Sequence, residues 1–173
     1  MTPDFPAETW FAAACDHEAA HAVMAYIFGW PSPRIIASEE NEDFAAYYKV
    51  RQLVHPHAQL CVVLAGFACE TWFEIGRRAL AEDRSDFRHA REILKQRPIL
   101  RYEKIGERFV FHRAETALRM WFERSNSLLR PHAEEVKALG RLLETAGELS
   151  SRRVAAFMRR RIAPRLEYPR PRP

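Results

Sequence analysis

The stretch Ala12-Ala13-Ala14-Cys15-Asp16-His17-Glu18-Ala19-Ala20-His21-Ala22-Val23 decides how this chain is read. Alanine is the strongest helix former, and seven alanines fall between Ala7 and Ala22. A helix is expected from Pro6 to Phe28. Gly29 supplies a stop, and Pro31 and Pro33 forbid continuation. Trp10, Ala14, His17, His21, Met24 and Phe28 share one side of that helix, so a buried face is expected there.

Working outward, Arg34-Ile35-Ile36 and Ala46-Tyr47-Tyr48-Lys49-Val50 read as two short strands, with the acidic Glu39–Asp43 stretch as the turn between them. A second helix is expected from Pro56 to Ile75, with Leu60, Leu64 and Phe67 as its apolar stripe. A charged loop, Arg77 to Arg84, follows. Ser85 is positioned to cap a third helix, Asp86 to Gln96, which Pro98 ends. Three more helices are expected: Glu107–Leu129, Pro131–Thr145 and Ser151–Ile162. The fold class is therefore mainly α with a small β element. Residues 1–163 read as one domain, and residues 164–173 as a Pro/Arg-rich, disordered tail.

A chain of 173 residues, 47% hydrophobic and 29% charged, is long enough to bury a core and too apolar to be disordered. Only 6 glycines stand against 11 phenylalanines and 4 tryptophans, which favours helices. Three cysteines do not make a disulfide framework, so a reducing cytoplasm is expected. No stretch approaches the ~20 apolar residues of a membrane span. The N-terminus has no signal-peptide character. No GxxxxGK[ST] phosphate loop is present, so the chain is expected to act without ATP. The net charge of +4 is uneven: eight arginines and one acid, Glu167, lie between Arg152 and Pro173.

Two histidines four residues apart on a helix present their imidazoles side by side. A catalytic zinc ion (Zn2+) takes three protein ligands and keeps one open position. His17 and His21 supply two ligands from one rigid element. Glu18, at the edge of the same face, is placed to take a proton from attacking water and return it. Two buried core imidazoles hydrogen-bonded to carboxylates would give the same pattern. For a third ligand, Asp86 is favoured, because a carboxylate at a helix N-terminus stays ionised. Glu70 is its rival, either as ligand or as a group that orients a histidine.

Three segments resemble the peptidase domain of the FtsH family of zinc metalloproteases. Cys15-Asp16-His17-Glu18-Ala19-Ala20-His21-Ala22-Val23 is similar to its HEAGHA helix. Leu64-Ala65-Gly66-Phe67-Ala68-Cys69-Glu70 is similar to its GGRAAEE segment. Ser85-Asp86-Phe87-Arg88-His89-Ala90 is similar to its SNDLxxA segment. More loosely, Leu142 to Val154 resembles the family's C-terminal helical pair. The resemblance implies a zincin-like FtsH-type peptidase domain. His17, His21 and Asp86 would bind zinc, Glu18 would be the general base, and Glu70 would support a histidine. It further implies a metalloendopeptidase acting on flexible or unfolded polypeptide substrate, and self-assembly into a homo-oligomer. Ala20 and Ala65 replace family glycines, and Glu82, Asp83 and Arg84 occupy the loop before the third segment.

Other groups are weaker. His55, His57 and Cys61 offer metal-ligand types, or simply a helix start above a core cysteine. His89 reads as a surface residue. The Tyr47-Tyr48 strand offers an edge for an extended peptide, or is an ordinary half-buried strand. Trp121, Phe122, Leu128 and Leu129 read as core or subunit contact. A rival to the enzyme is an inactive scaffold that binds a protein partner or nucleic acid through Arg152–Arg172.

Overall fold

The computed structural model describes residues 7–38, 43–47, 55–70, 72 and 85–162. Its helices are α1 (Ala7–Ile27), α2 (Pro56–Val63), α3 (Ala65–Glu70), α4 (Ser85–Gln96), α5 (Ala114–Leu129), α6 (Ala133–Ala146) and α7 (Ser151–Arg161). Its strands are β1 (Arg34–Ser38), β2 (Asp43–Tyr47), β3 (Tyr102–Ile105), β4 (Arg108–Phe111) and β5 (Glu148–Leu149). The chain is mainly helical with small antiparallel sheet elements.

α1 is the hub and packs on α3 and α6. The expected buried face is an understatement, because every residue from Glu18 to Ala25 is buried, all the way round the helix. Ala19, Ala20, Ala22 and Ala25 let neighbouring backbones come close on several sides. The expected face includes Trp10, whose side chain lies outside the described residues. Where α6 crosses α1, a side chain at Gly140 would overlap the Asp16 carboxylate and sit 3.2 Å from the Asp16 Cα.

The expected hairpin near α1 is present and extended. β1 pairs antiparallel with β2, and also with β5, giving the order β2-β1-β5. β2 begins at Asp43, earlier than expected, and Tyr48–Val50 lie outside the described residues, as does the turn 39–42. Two residues of β5 suffice because Ile35 and Leu149, opposite one another, are both buried. Gly147 (φ 67°) turns α6 into β5, and the Ser150 hydroxyl then accepts the Arg153 N–H at the start of α7.

Three expectations are corrected. The helix Glu107–Leu129 starts only at Ala114; before it, β3 and β4 form a hairpin with Ile105 opposite Arg108. Gly106, at φ +61°, turns the chain in two residues, and Phe109-Val110-Phe111 are strand formers. The helix expected over Pro56–Ile75 divides at Leu64 into α2 and α3, with Gly66 in the first turn of α3; residues 71 and 73–75 lie outside the described residues. Pro131 sits in a 3-10 turn, Arg130–His132, and α6 begins at Ala133. The loop Arg77–Arg84 and the tail from 164 also lie outside the described residues. No described helix is long and apolar enough to cross a membrane.

Gly140→Ala sets about 1 kcal/mol of helix propensity against about 1–3 kcal/mol of overpacking between α1 and α6. A net loss of roughly 1 kcal/mol is expected in denaturant unfolding; a stabilised variant would contradict this close packing.

Candidate metal centre

Four elements converge on His17 and His21. α1 presents both rings, which meet edge to face with centroids 4.8 Å apart. α4 brings Asp86 in its first turn, where the helix dipole favours a carboxylate. α3 ends on Glu70, which is buried. α2 ends at Val63, and the Val62 carbonyl in its last turn faces the site.

The hydrogen bonds fix which nitrogen faces which partner. His21 Nδ1 lies 2.7 Å from the Val62 carbonyl, which can only accept, so that nitrogen carries a proton. His17 Nδ1 lies 2.7 Å from Glu70 Oε1 and donates to it in the same way. Both Nε2 atoms then point to one place. Asp86 Oδ2 is 3.1 Å from His17 Nε2 and 3.3 Å from His21 Nε2. One donor atom from each of the three residues lies within 4.8 Å of the other two. Among the described residues, this is the one group of three or more such side chains that could hold a metal ion.

A neutral imidazole whose Nδ1 is protonated offers a lone pair at Nε2. Two such lone pairs against a carboxylate oxygen repel unless a proton or a cation lies between them. Without metal, protons serve. Burial lowers the pKa of His17, but hydrogen bonds to Asp86 and Glu70 overcome this and lift it to about 10. His21 is raised likewise by Asp86 against the effect of burial. Burial favours the neutral acid of Asp86, yet the two imidazoles hold it well below the usual carboxylate range. Tetrahedral coordination at ~2.0–2.1 Å has ligand–ligand edges of about 3.3 Å, close to the two Nε2–Asp86 separations. The three residues together could therefore hold a metal ion.

Glu18 is only 7% exposed, and among the described residues none donates a hydrogen bond to its carboxylate. It lies close enough to His17 and His21 to act electrostatically on both. An enclosed carboxylate of this kind needs a hydrogen-bond donor. Cysteine chemistry does not compete at this site. Burial pushes the thiols of Cys15 and Cys61 up to about 12 and that of Cys69 well above its ordinary value.

All five site residues singled out in the sequence meet here, with Asp86 on the Nε2 side of the histidines and Glu70 behind His17. The other groups do not join them. His89 is exposed. His55 is exposed, and His57 stacks on Trp121 at 5.0 Å above the buried Cys61. Trp121, Phe122 and Leu129 are core residues, and Leu128 packs against that core. Sequence reasoning missed the Val62 carbonyl, because a backbone acceptor leaves no side-chain signal. It also missed Gly66, where a side chain would run into the His17 ring. The glycine within Leu64–Glu70 was the available sign of close approach.

Compared with known proteins, the chain matches no family model and no curated sequence.

Gly66→Ala puts a methyl group against a ring pinned at both nitrogens. The overlap, about 1–3 kcal/mol, outweighs the helix-propensity gain of about 1 kcal/mol. A lower melting temperature and a shifted His17 imidazole resonance are expected; an unchanged resonance would mean that His17 is not held where Gly66 excludes a side chain.

Proposed function

We propose that this chain is an ATP-independent zinc metalloendopeptidase of the zincin-like FtsH type, cleaving flexible or unfolded polypeptides. One observation carries the reading: two Nε2 atoms, each with its Nδ1 proton already engaged, converge with the Asp86 carboxylate beside the enclosed Glu18. His17, His21 and Asp86 would hold the metal. A zinc ion bound there would polarise a carbonyl and acidify water near neutral pH.

The chain's own groups do the rest. Glu70 and the Val62 carbonyl fix the two rings, so ligand geometry does not have to be organised during reaction. Glu18 takes the proton from the attacking water and passes it to the leaving amine. Among the described residues no donor competes for the carboxylate, which leaves it available for that transfer. β2 lies at the edge of its sheet and contacts α1, and Tyr47 is half-exposed on it. That edge supports binding of an extended peptide as an added strand. Three buried free thiols suit a reducing compartment such as the cytoplasm.

A second reading, a scaffold for an anionic partner such as nucleic acid, draws on α7, where Arg152, Arg153, Arg159, Arg160 and Arg161 are all exposed. Nucleic-acid affinity falling steeply with salt, in a protein that takes up no zinc, would favour it.

Glu18→Gln keeps the three ligands and removes the base. With a fluorescently labelled unfolded polypeptide as substrate, kcat is expected to fall roughly 10²–10⁴-fold while bound zinc is unchanged. Full activity in this variant would rule out the mechanism.

A further inference from the structure

Six of the seven exposed large apolar side chains among the described residues fall in one short stretch: Ile99, Tyr102, Ile105, Phe109, Val110 and Phe111. Isolated exposed apolar residues are ordinary, but a contiguous concentration marks an interaction surface. Phe109 is 69% exposed and Ile99 68%.

The hairpin shows apolar groups on both faces. Its register puts Tyr102 opposite Phe111 and Lys104 opposite Phe109 on one face, and Glu103 opposite Val110 and Ile105 opposite Arg108 on the other. A free two-stranded ribbon is marginal by itself, but this one has a firm root. Leu100 is buried, its carbonyl accepts from Trp121 Nε1 at 2.8 Å, and Arg101 Nε donates to the His112 carbonyl at 2.9 Å. The ribbon is held out from the helices rather than folded onto them.

The surrounding charge narrows the occupant. Between Arg97 and Arg113 there are five cations (Arg97, Arg101, Lys104, Arg108 and Arg113) and two acids, Glu103 and Glu107. Glu103 is engaged by His112 at 3.1 Å. Arg101 lies over the Phe111 ring, 4.3 Å from its centroid. A protein partner or a stacked nucleic-acid strand covers one face of a ribbon. A lipid headgroup layer surrounds both faces and the tip, accepts aliphatic as well as aromatic side chains, and attracts the interleaved cations. A four-residue strand spans about 13 Å, comparable with the ~5–10 Å depth of interfacial insertion.

We infer that the β3–β4 hairpin is a docking element for an anionic lipid surface, independent of the metal centre. The test is co-sedimentation of the full chain with phosphatidylcholine vesicles, with and without phosphatidylserine. Binding is expected to the phosphatidylserine vesicles and to weaken with salt. Lys104→Ala with Arg108→Ala should weaken it about thirtyfold, and Ile105→Ser with Phe109→Ser should abolish it. All four side chains are exposed, so unchanged melting temperatures separate lost binding from lost folding. The inference is overturned if wild-type protein ignores both vesicles, or if both hairpin variants still bind. It also fails if only replacing the α7 arginines abolishes binding. Hairpin-dependent capture of a single-stranded oligonucleotide in place of vesicles would equally overturn it, as would a dimer that the Ile105/Phe109 variant dissociates.

Discussion

The constraint on which the site depends is the commitment of both Nδ1 protons. Once His17 donates to Glu70 and His21 donates to the Val62 carbonyl, neither ring can turn its lone pair elsewhere. Both Nε2 atoms must face Asp86, and something positive must sit among them. Two imidazolium rings carry the same charge as two neutral rings with one divalent cation. Proton-filled and metal-filled forms thus carry the same net charge within the same hydrogen-bonded frame, and cation uptake would release protons.

Packing makes this frame rigid. The rings project from a helix buried around its circumference through residues 18–25, where alanines bring other elements close. Gly66 lets α3 approach the His17 ring, and Gly140 lets α6 approach Asp16 one residue earlier. These glycines cost helix propensity and are placed where a methyl group would collide with fixed atoms. The edge-to-face contact of Phe67 with His17 and the Phe67–Phe87 contact tie α3 and α4 together behind the site. A cluster of three acids and two histidines is expensive to enclose, and such cost persists where the groups do chemistry.

Much of this was legible in the sequence. Alanine content and the Gly29-Pro31-Pro33 stop located α1, and the four-residue spacing of His17 and His21 located the site. The dipole argument for a carboxylate at a helix start picked out Asp86, and burial among apolar residues picked out Glu70. What was not legible follows from physics that side-chain patterns do not encode. The Val62 carbonyl acts as a backbone acceptor in the last turn of α2, and no residue type announces it. β4 falls within the expected helix because Glu107 to Leu129 has helix formers over most of its length, and no element is expected over Tyr102–Ile105; Gly106 and the run Phe109-Val110-Phe111 carried the contrary local signal. β5 is two residues long, and its pairing depends on where Gly147 delivers the chain.

The most direct measurement of the central claim is zinc stoichiometry by mass spectrometry after equilibration and removal of free metal, for wild-type protein beside His17→Ala and Asp86→Ala. The expected result is about one zinc per chain in the wild type, as three protein ligands around one ion require, lost or sharply reduced in both variants. No zinc in the wild type, or zinc that both variants retain, would contradict the assignment of these three residues as a metal centre.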